Sequence, residues 1–241
     1  MAADNESETD PHEPTGQDGE SVSAEPSWQR ARRPDQKQAR RDAIIAAAVA
    51  LLDERGLDAT SLSAIARTSG VSKANIYRYF ESREAILLAL TLEESGAWIE
   101  DLVARLAPLA GSGDAAAVAD ALASSIVSRP LYCTLLSSLA SVLEHNVGPD
   151  TIAEFKRGFI TLRHAPAQAV LAALPTLTPE RAGELMMYFY VSVAGLWPVS
   201  NPPPAVVEVL SRPEFSDMCV DFETMLRAHA HTVVRGLCAD D

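Results

Sequence analysis

Hydrophobic residues recur at helical spacing along most of the chain. Between about residues 35 and 55, Ile44, Ala48 and Leu51 are separated by four and three positions, which places them on one face of an α-helix. Similar patterns continue towards the C-terminus, and the alternation of apolar and polar residues that is typical of strands does not appear. The pattern therefore predicts an all-α protein of about nine or ten helices.

Signals for helix ends divide the segment after the first helix into short helices. Gly56 is expected to end the first helix in a left-handed conformation, and Gly70 to end the second. The third helix is predicted over residues 73–80, with Ile76 and Phe80 facing inward. Hydroxyl side chains that can accept hydrogen bonds from the first free amides precede the second, third and fourth helices. These capping residues are Thr60 or Ser61, then Ser72, then Ser82.

Glycine and proline mark the helix boundaries in the rest of the chain. Thr178-Pro179-Glu180 is a strong helix start, because it combines a capping hydroxyl, a proline at the first helical position and an acid beside it. The helix that follows is predicted to reach about Trp197, and a last helix is predicted over residues 215–237.

Charge is unevenly distributed along the chain. The formal net charge of −13 argues, as a single number, against binding to a polyanion. Residues 1–28 carry eight acids and no Lys or Arg, residues 29–90 carry a net +4, and residues 91–241 carry a net −9. We predict that the acidic segment is disordered, since it has too little apolar surface to bury. A basic arm with Arg30, Arg32 and Arg33 follows, and such an arm can enter a minor groove or stay a solvated tail.

Residues 60–84 have the form of a helix, a glycine-containing turn and a second helix. Ala66 allows the two helices to approach closely, while Ile65 and Ile76 can fix the angle between them. Polar and cationic residues remain on the outer side of the second helix, whose size fits a major groove of DNA. The segment therefore predicts a helix-turn-helix.

The residues on this outer side have the chemistry to bind DNA. Asn75 can hydrogen-bond adenine bidentately, and Tyr77 and Arg78 can hold phosphates. Further phosphate contacts are expected where helices begin, because free amides point outward there. The residues at those helix starts are Ser61, Ser63 and Arg83.

Residues 41–90 resemble the N-terminal domain of the tetracycline-repressor (TetR) family of bacterial regulators. The resemblance covers about a fifth of the chain, and its motif is highly specific. It rests on Arg41, Ile44, Ala47-Ala48, Leu51, Gly56, Ala59-Thr60-Ser61, Ile65-Ala66, Gly70-Val71-Ser72-Lys73, Ile76-Tyr77-Arg78-Tyr79-Phe80, Ser82-Arg83-Glu84 and Leu87.

The resemblance implies a specific division of contacts and a homodimer whose last two long helices pair with their mates. It places one group of side chains against base edges, namely Ser72, Lys73, Ala74, Asn75 and Tyr77. It places another on the DNA backbone, namely Arg78, Tyr79 and Arg83. Two departures from the family pattern are present: Arg83 stands where many members have Lys, and Ala74-Asn75 stands where Gly-Thr is common. We expect Asn75 to change the sequence that is read and not the mode of binding.

In the general plan of this family, the C-terminal part holds the effector pocket. Methionine and aromatic side chains can line a pocket for apolar ligands, although they are also ordinary core residues. The candidate ligand-binding residues are Trp98, Tyr132, Phe155, Phe159, Met187, Tyr190 and Trp197.

The sequence contains no grouped acid, base and nucleophile, no phosphate-binding loop and no nucleotide-binding glycine run. Its three cysteines are widely spaced, so we expect neither a disulfide framework nor a metal site, and no cofactor. No apolar run has the length of a membrane helix and the N-terminus has no signal-peptide pattern, so we expect a cytoplasmic protein that is not an enzyme.

These observations predict a tail and arm over residues 1–34, a three-helix DNA-binding domain over residues 35–82, and a helical ligand-binding and dimerisation domain over residues 83–241. The predicted function is a transcriptional regulator, most simply a repressor that a small molecule releases from a palindromic operator. The alternative is a dimeric helical adaptor that does not bind DNA specifically.

Overall fold

Helices account for most of the structure, a computed structural model that describes the backbone of residues 27–239 and the side chains of residues 36–239. Over the described backbone there is no strand, and the predicted all-α class is confirmed. The acidic segment 1–26 and the side chains of Arg30, Arg32 and Arg33 lie outside the described residues, so the predictions made for them stay predictions.

The described backbone contains eleven α-helices joined by short connections. They are α1 (Ser27–Ala59), α2 (Leu62–Ser69), α3 (Lys73–Ile76), α4 (Arg83–Leu106), α5 (Ala115–Val127), α6 (Pro130–Ser138), α7 (Pro149–Leu162), α8 (His164–Ala173), α9 (Pro179–Ser200), α10 (Pro204–Leu210) and α11 (Phe222–Cys238). The connections include a π-helical turn at Leu139–Leu143 and 3₁₀ turns at Ala107–Leu109 and Pro213–Met218.

Helix α1 differs from its prediction at both ends. It begins at Ser27, so residues 27–34 are helical although the sequence analysis assigned them to the tail and arm. The Gln, Ala and three Arg residues of this stretch favour helix. Gly56 interrupts α1 with φ 74° and ψ −178°, a conformation open essentially to glycine alone. Of the described residues, 39–239 form one compact unit, and residues 27–38 belong to another.

Helix α3 is shorter than predicted. Regular helix ends at Ile76, and the predicted remainder to Phe80 is a series of turns in which the Ile76 carbonyl accepts from both Tyr79 N (2.8 Å) and Phe80 N (3.0 Å). The chain stays coiled, and Ile76 (0% exposed) and Phe80 (7%) face inward as predicted. The short helix therefore still presents one buried and one outer side.

The C-terminal helices follow their predicted caps with one shift. The Thr178 hydroxyl accepts a hydrogen bond from Arg181 N at the start of α9, as expected. The last helix begins at Phe222 and not near residue 215, because the Asp221 carboxylate caps it by accepting from Thr224 N at 2.9 Å. The preceding Pro213–Met218 segment forms a 3₁₀ turn instead.

Two hydrophobic cores share α4. The first lies in the head, by which we mean residues 39–82, and centres on Ile44, Ile65 and Ile76 with additions from α4 and α7. The second joins α4 to the later helices and contains Trp98 and Phe189. Because α4 contributes side chains to both cores, it connects the head mechanically to the C-terminal helices.

Candidate DNA-binding surface and ligand cavity

Helices α2 and α3 form a helix-turn-helix whose two helices are both anchored in the core. Ile65 and Ile76 are both 0% exposed and pack into the head core, one from each helix. Gly70 between them has φ 69° and ψ 8°, a left-handed conformation that side-chain-bearing residues rarely adopt. The angle between the helices is therefore fixed from the inside, and their outer sides face solvent.

Serine hydroxyls fix where these helices begin. Ser61 Oγ accepts from Ala64 N at 3.2 Å, Ser72 Oγ accepts from Asn75 N at 3.3 Å, and Ser82 Oγ accepts from Ala85 N at 3.1 Å. The predicted capping role is confirmed at all three positions. Each hydroxyl keeps its own proton available for donation to an outside acceptor such as a phosphate.

The structure brings most of the predicted DNA-binding side chains to one surface around α3. Those that are exposed are Ser61, Ser63, Ser72, Lys73, Ala74, Tyr77 and Arg78, while Asn75 and Tyr79 are half-buried. Tyr77 is 58% exposed, which is unusual for a large side chain beside a core. We call this surface the α3 face.

Arg83 lies differently from the other predicted contacts. Its side chain is 20% exposed, and its Nε lies 3.5 Å from Glu84 Oε1. The same Nε is buried without a hydrogen bond among the described residues. A phosphate contact by this guanidinium would therefore compete with the Glu84 pair.

Two side-chain contacts connect the head to the helices beyond it. Arg41 Nη1 donates to Glu93 Oε1 of α4 at 2.8 Å, and its guanidinium lies 5.5 Å from the centre of the Phe80 ring. On the other side, Glu81 Oε1 accepts from the backbone amide of Gly148 at 2.7 Å, where α7 begins. Sequence reasoning missed both contacts, because each joins residues that are far apart in the chain.

The Glu81 contact is closely fitted. Hydrogen bonds from the Gly148 amide, and then from the Thr151 hydroxyl, lower the pKa of the Glu81 carboxyl from its ordinary value, against a small opposing effect of burial. A side-chain carbon at Gly148 would lie 3.2 Å from Glu81 Oε2, so glycine allows this approach. The carboxylate thus caps the positive end of the α7 dipole.

A mostly apolar cavity of about 70 Å³ lies between α4, α5, α6, α7, α8 and α9. Two aromatic rings stand side by side in its wall, with the centroids of Trp98 and Phe189 6.1 Å apart and their planes 10° from parallel. We call this space the aromatic cavity. It is lined by Ser95, Trp98, Ile99, Ile126, Tyr132, Leu136, Phe159, Leu162, Arg163, Pro166, Met186, Phe189, Tyr190 and Val193.

Four of the seven predicted ligand-binding residues line the aromatic cavity, namely Trp98, Tyr132, Phe159 and Tyr190. Phe155 instead lines a second cavity of about 340 Å³, where the head, α4 and α7 meet. Met187 is 58% exposed on the outside of α9, because one helical position turns it away from the cavity side, and its neighbour Met186 takes that place. Trp197 donates to Thr134 Oγ1 at 3.0 Å and packs edge-on against Phe222.

A third concave surface lies on the outside of α9 and α11. This outer groove, of about 550 Å³, is lined by Tyr188, Val191, Ser192, Gly195, Leu196, His229, Val233, Gly236 and Leu237. Val191 is 57% exposed and Tyr188 47%. At Gly195 and Gly236 no atom lies within 4 Å of where a side-chain carbon would stand, so the surface is open for a close neighbour.

The described residues contain neither a metal-binding cluster nor a single membrane-spanning helix. Between residues 27 and 239, no three His, Cys, Asp or Glu residues are grouped so that they could hold a metal ion. In the same range no single helix is long and apolar enough to cross a membrane, although α5 and residues 130–143 meet that test as a pair bent by 91°.

Two family models together match nearly all of the chain beyond residue 43. Residues 44–90 match the model described as "Bacterial regulatory proteins, tetR family". Residues 92–241 match the model described as "Tetracyclin repressor-like, C-terminal domain". The boundary between the two matches falls within α4.

Curated relatives match only short stretches of the chain. The chain is 42% identical over 57 residues to the fatty acid metabolism regulator protein of Bacillus subtilis, covering 24% of this chain and 29% of that protein. It is 39% identical over 67 residues to the transcriptional regulator BetI of Rhizobium meliloti, covering 28% and 33%. The chain thus spans about a third or less of the length of these relatives.

Solved structures resemble the fold over most of the chain. The fatty acid degradation regulator FadR from Bacillus halodurans has a TM-score of 0.53 and 14% identity, over 82% of this chain and 96% of that one. Thermus thermophilus FadR, described as a repressor in complex with lauroyl-CoA, has a TM-score of 0.56 and 16% identity, over 83% and 96%. At such identities the likeness concerns the fold alone.

Proposed function

The chain belongs to the TetR family of bacterial transcriptional regulators, and from that premise we propose that it is a homodimeric, ligand-responsive repressor that acts in the cytoplasm. In this proposal, residues 35–82 bind DNA, and residues 83–241 hold the ligand and pair the subunits. The single observation that carries it is the α3 face, where cationic and hydroxyl groups are exposed beside the half-buried Asn75 amide, on a helix that the buried Ile65 and Ile76 hold in place.

The α3 face fits the major groove in size and chemistry. Helix α3 with its following turn presents Lys73, Asn75 and Tyr77 on one short surface, while Ile76 anchors it from behind. Side chains of this kind can reach base edges, and Arg78 and the helix N-termini can hold phosphates. Each subunit would place one such helix in a half-site of a near-palindromic operator, with the half-sites about one helical turn or slightly more apart.

The outer groove is the surface that we assign to the second subunit. A two-fold dimer uses the same patch on both copies, which must therefore be apolar and self-complementary. The exposed apolar side chains of α9 and the open space at Gly195 and Gly236 fit that need. Pairing through α9 and α11 would set the distance between the two α3 faces.

Ligand binding would change the distance between the two α3 faces through two connections within each subunit. The aromatic cavity holds about 70 Å³, roughly half the volume of an apolar cavity of about 150 Å³ known to bind benzene. A ligand therefore has to widen it, which moves α4 at Trp98 or α7 at Phe159. Helix α4 leads directly into the head, and α7 contacts it through Glu81 and Gly148. The ligand would thus favour a state whose α3 faces no longer match the operator.

Operator binding tests the proposal directly. Preferred sites are first selected from random duplex DNA with the unmodified protein, and affinity is then measured by fluorescence anisotropy. We expect the double variant Lys73→Ala, Tyr77→Ala to lose at least about a hundredfold in affinity while it keeps its folding temperature and dimer mass, since two direct contacts are removed.

Arg105→Ala serves as the control for this experiment. It also removes a positive charge, but at the far end of α4, where Arg105 pairs with Asp101. Its operator affinity should match that of the unmodified protein. If no DNA is selected, or if the double variant binds as before, the α3 face is not the reading surface, and the adaptor alternative gains support.

A further inference from the structure

The polar groups deep in the aromatic cavity are already used within the protein. The Tyr132 hydroxyl donates to Ser95 Oγ at 3.0 Å, and Ser95 Oγ donates in turn to the Thr91 carbonyl at 2.6 Å. Trp98 Nε1 donates to Ser125 Oγ at 2.9 Å. Because buried polar groups that already have partners have little left to offer, the interior presents mainly hydrocarbon and aromatic surface. A ligand gains there only by burying apolar surface.

Two polar groups in the lining remain uncommitted. Arg163, at the junction of α7 and α8, is the one charged residue of the lining, and it is exposed at the cavity's edge. No carboxylate of the described residues lies within ion-pair distance of its guanidinium. The Tyr190 hydroxyl likewise has no hydrogen-bond partner among the described residues. Burial, and then the charge of Glu144, raise the pKa of Tyr190, so its hydroxyl stays a neutral donor.

We propose that the ligand of the aromatic cavity is a monocarboxylate with an apolar body, its carboxylate paired with Arg163 at the rim and its body inserted beside Trp98. This inference rests on the proposed function and specifies its ligand class. A guanidinium matches a planar carboxylate with two parallel hydrogen bonds, which makes Arg163 a suitable partner. The Tyr190 hydroxyl supplies a further donor at the same cavity.

The charge of the domain sets an upper limit on the charge of the ligand. Residues 91–241 carry a net −9, so a ligand with several negative charges meets repulsion that a single carboxylate largely avoids. A cationic ligand would gain from the overall field but would face Arg163 at the rim. Arg163, the one charged residue of the lining, therefore favours a ligand that carries a single negative charge.

Met186 is the side chain that can admit the apolar body. It is half-buried in the cavity wall, unbranched and flexible, so it can change rotamer to admit the body while a shift of α4 or α7 supplies the remaining space. Its neighbour Met187 points outward and is 58% exposed. The two methionines therefore give a matched test of where the ligand binds. The same bulky substitution fills the cavity at position 186 and leaves it open at position 187.

Three probes with the same eight-carbon body test the proposal on the full chain: octanoate, octan-1-ol and octylammonium. By isothermal titration we expect octanoate to bind at least about tenfold more tightly than octan-1-ol, and octylammonium more weakly than either. In Arg163→Gln the preference for octanoate over octan-1-ol should fall to within about twofold. Arg157→Gln, at an exposed position of α7 outside the cavity lining, should keep the full preference. Met186→Trp should weaken both probes, and Met187→Trp neither.

Equal binding of octanoate and octan-1-ol, tightest binding of octylammonium, or binding of none of the three overturns the assignment. So does a loss in Arg157→Gln that matches the loss in Arg163→Gln. If Met186→Trp does not fold, the two arginine variants still decide the outcome. Operator affinity, measured without any probe, reports on the proposed function separately, so the ligand class can fail while the regulator survives.

Discussion

The α3 face and the aromatic cavity use polar side chains in opposite ways. On the α3 face, Lys73, Tyr77 and Arg78 point into solvent and the described residues give them no partner. In the cavity, the hydroxyl of Tyr132 and the indole of Trp98 are both bonded inside the protein. The polar groups of the α3 face therefore remain available to a binding partner, whereas those deep in the cavity stabilise the protein itself.

This difference determines which forces each site can use. Binding at the α3 face draws on charge and hydrogen bonds, so its affinity should fall steeply as salt rises. Binding in the cavity draws on apolar burial, which salt affects little, apart from the one charge at Arg163. A small molecule that binds in the aromatic cavity therefore need not compete with DNA for the α3 face.

The largest effect is expected at the outer groove, since operator binding depends on subunit pairing in this proposal. Val191→Glu would place a charge in an apolar interface, and we expect the dimer to weaken by about 3 kcal/mol or more, with loss of operator binding. Sedimentation velocity gives the dimer dissociation constant. Val206→Glu adds the same charge on exposed α10, outside the groove, and should leave the dimer intact. A Val191→Glu protein that remains dimeric would place the interface elsewhere.

The next effect separates the buried side of α3 from its outer side. Ile76→Ala leaves a cavity in the small head core and should cost about 2–5 kcal/mol of unfolding free energy in urea. Arg78→Ala, two residues on and exposed, should change that free energy by no more than about 0.5 kcal/mol, yet weaken operator binding at low salt. Equal destabilisation by both substitutions would mean that the two sides of α3 are not distinct.

Much of the head could be predicted from sequence because its signals are local. The caps at Ser61, Ser72 and Ser82 and the left-handed Gly70 each act within four residues, and each lies where the sequence placed it. The end of α3 at Ile76 was not predicted, since a carbonyl that accepts two amides reflects packing and not propensity.

The cavity was predictable only in residue type, because six helices far apart in sequence build its wall. Trp98 and Tyr190 were recognised as aromatic candidates, but no periodicity within α9 alone decides whether Met186 or Met187 faces inward. Arg163 gave no signal at all, since an arginine at a helix junction is normally solvated. Its distinction is that it lies in the cavity lining without an ion-pair partner, which only tertiary structure reveals.

Two tyrosines give a smaller but direct comparison of the two surfaces. Tyr132→Phe removes the donor to Ser95 and should lower the unfolding free energy by about 0.5–1.5 kcal/mol, with operator affinity unchanged. Tyr77→Phe removes a hydroxyl with no partner in the protein, and should leave stability unchanged while weakening operator binding about threefold to tenfold. Urea unfolding and anisotropy on the same samples check both. The comparison fails if the two substitutions affect the same property.

The smallest effect concerns the Glu81 contact, and it should depend on pH. The pKa of the Glu81 carboxyl is lowered in the folded protein, so its contribution to stability is complete above the unfolded value of 4.5 and disappears as pH falls through the folded value. Glu81→Gln retains an acceptor for the Gly148 amide but loses the charge at the start of α7. Its folding temperature should therefore lie slightly below that of the unmodified protein near about pH 7, and the gap should close towards about pH 3.

Glu100→Gln is the matched control, because it removes an exposed carboxylate of α4 that makes no contact in the described structure. Its folding temperature should follow that of the unmodified protein at every pH. A gap for Glu81→Gln that stays constant across the range would mean that packing, and not charge, holds α7 to the head. A closing gap would instead support an electrostatic contact between the head and the helix that carries Phe159, which is one of the two connections proposed for ligand-controlled release.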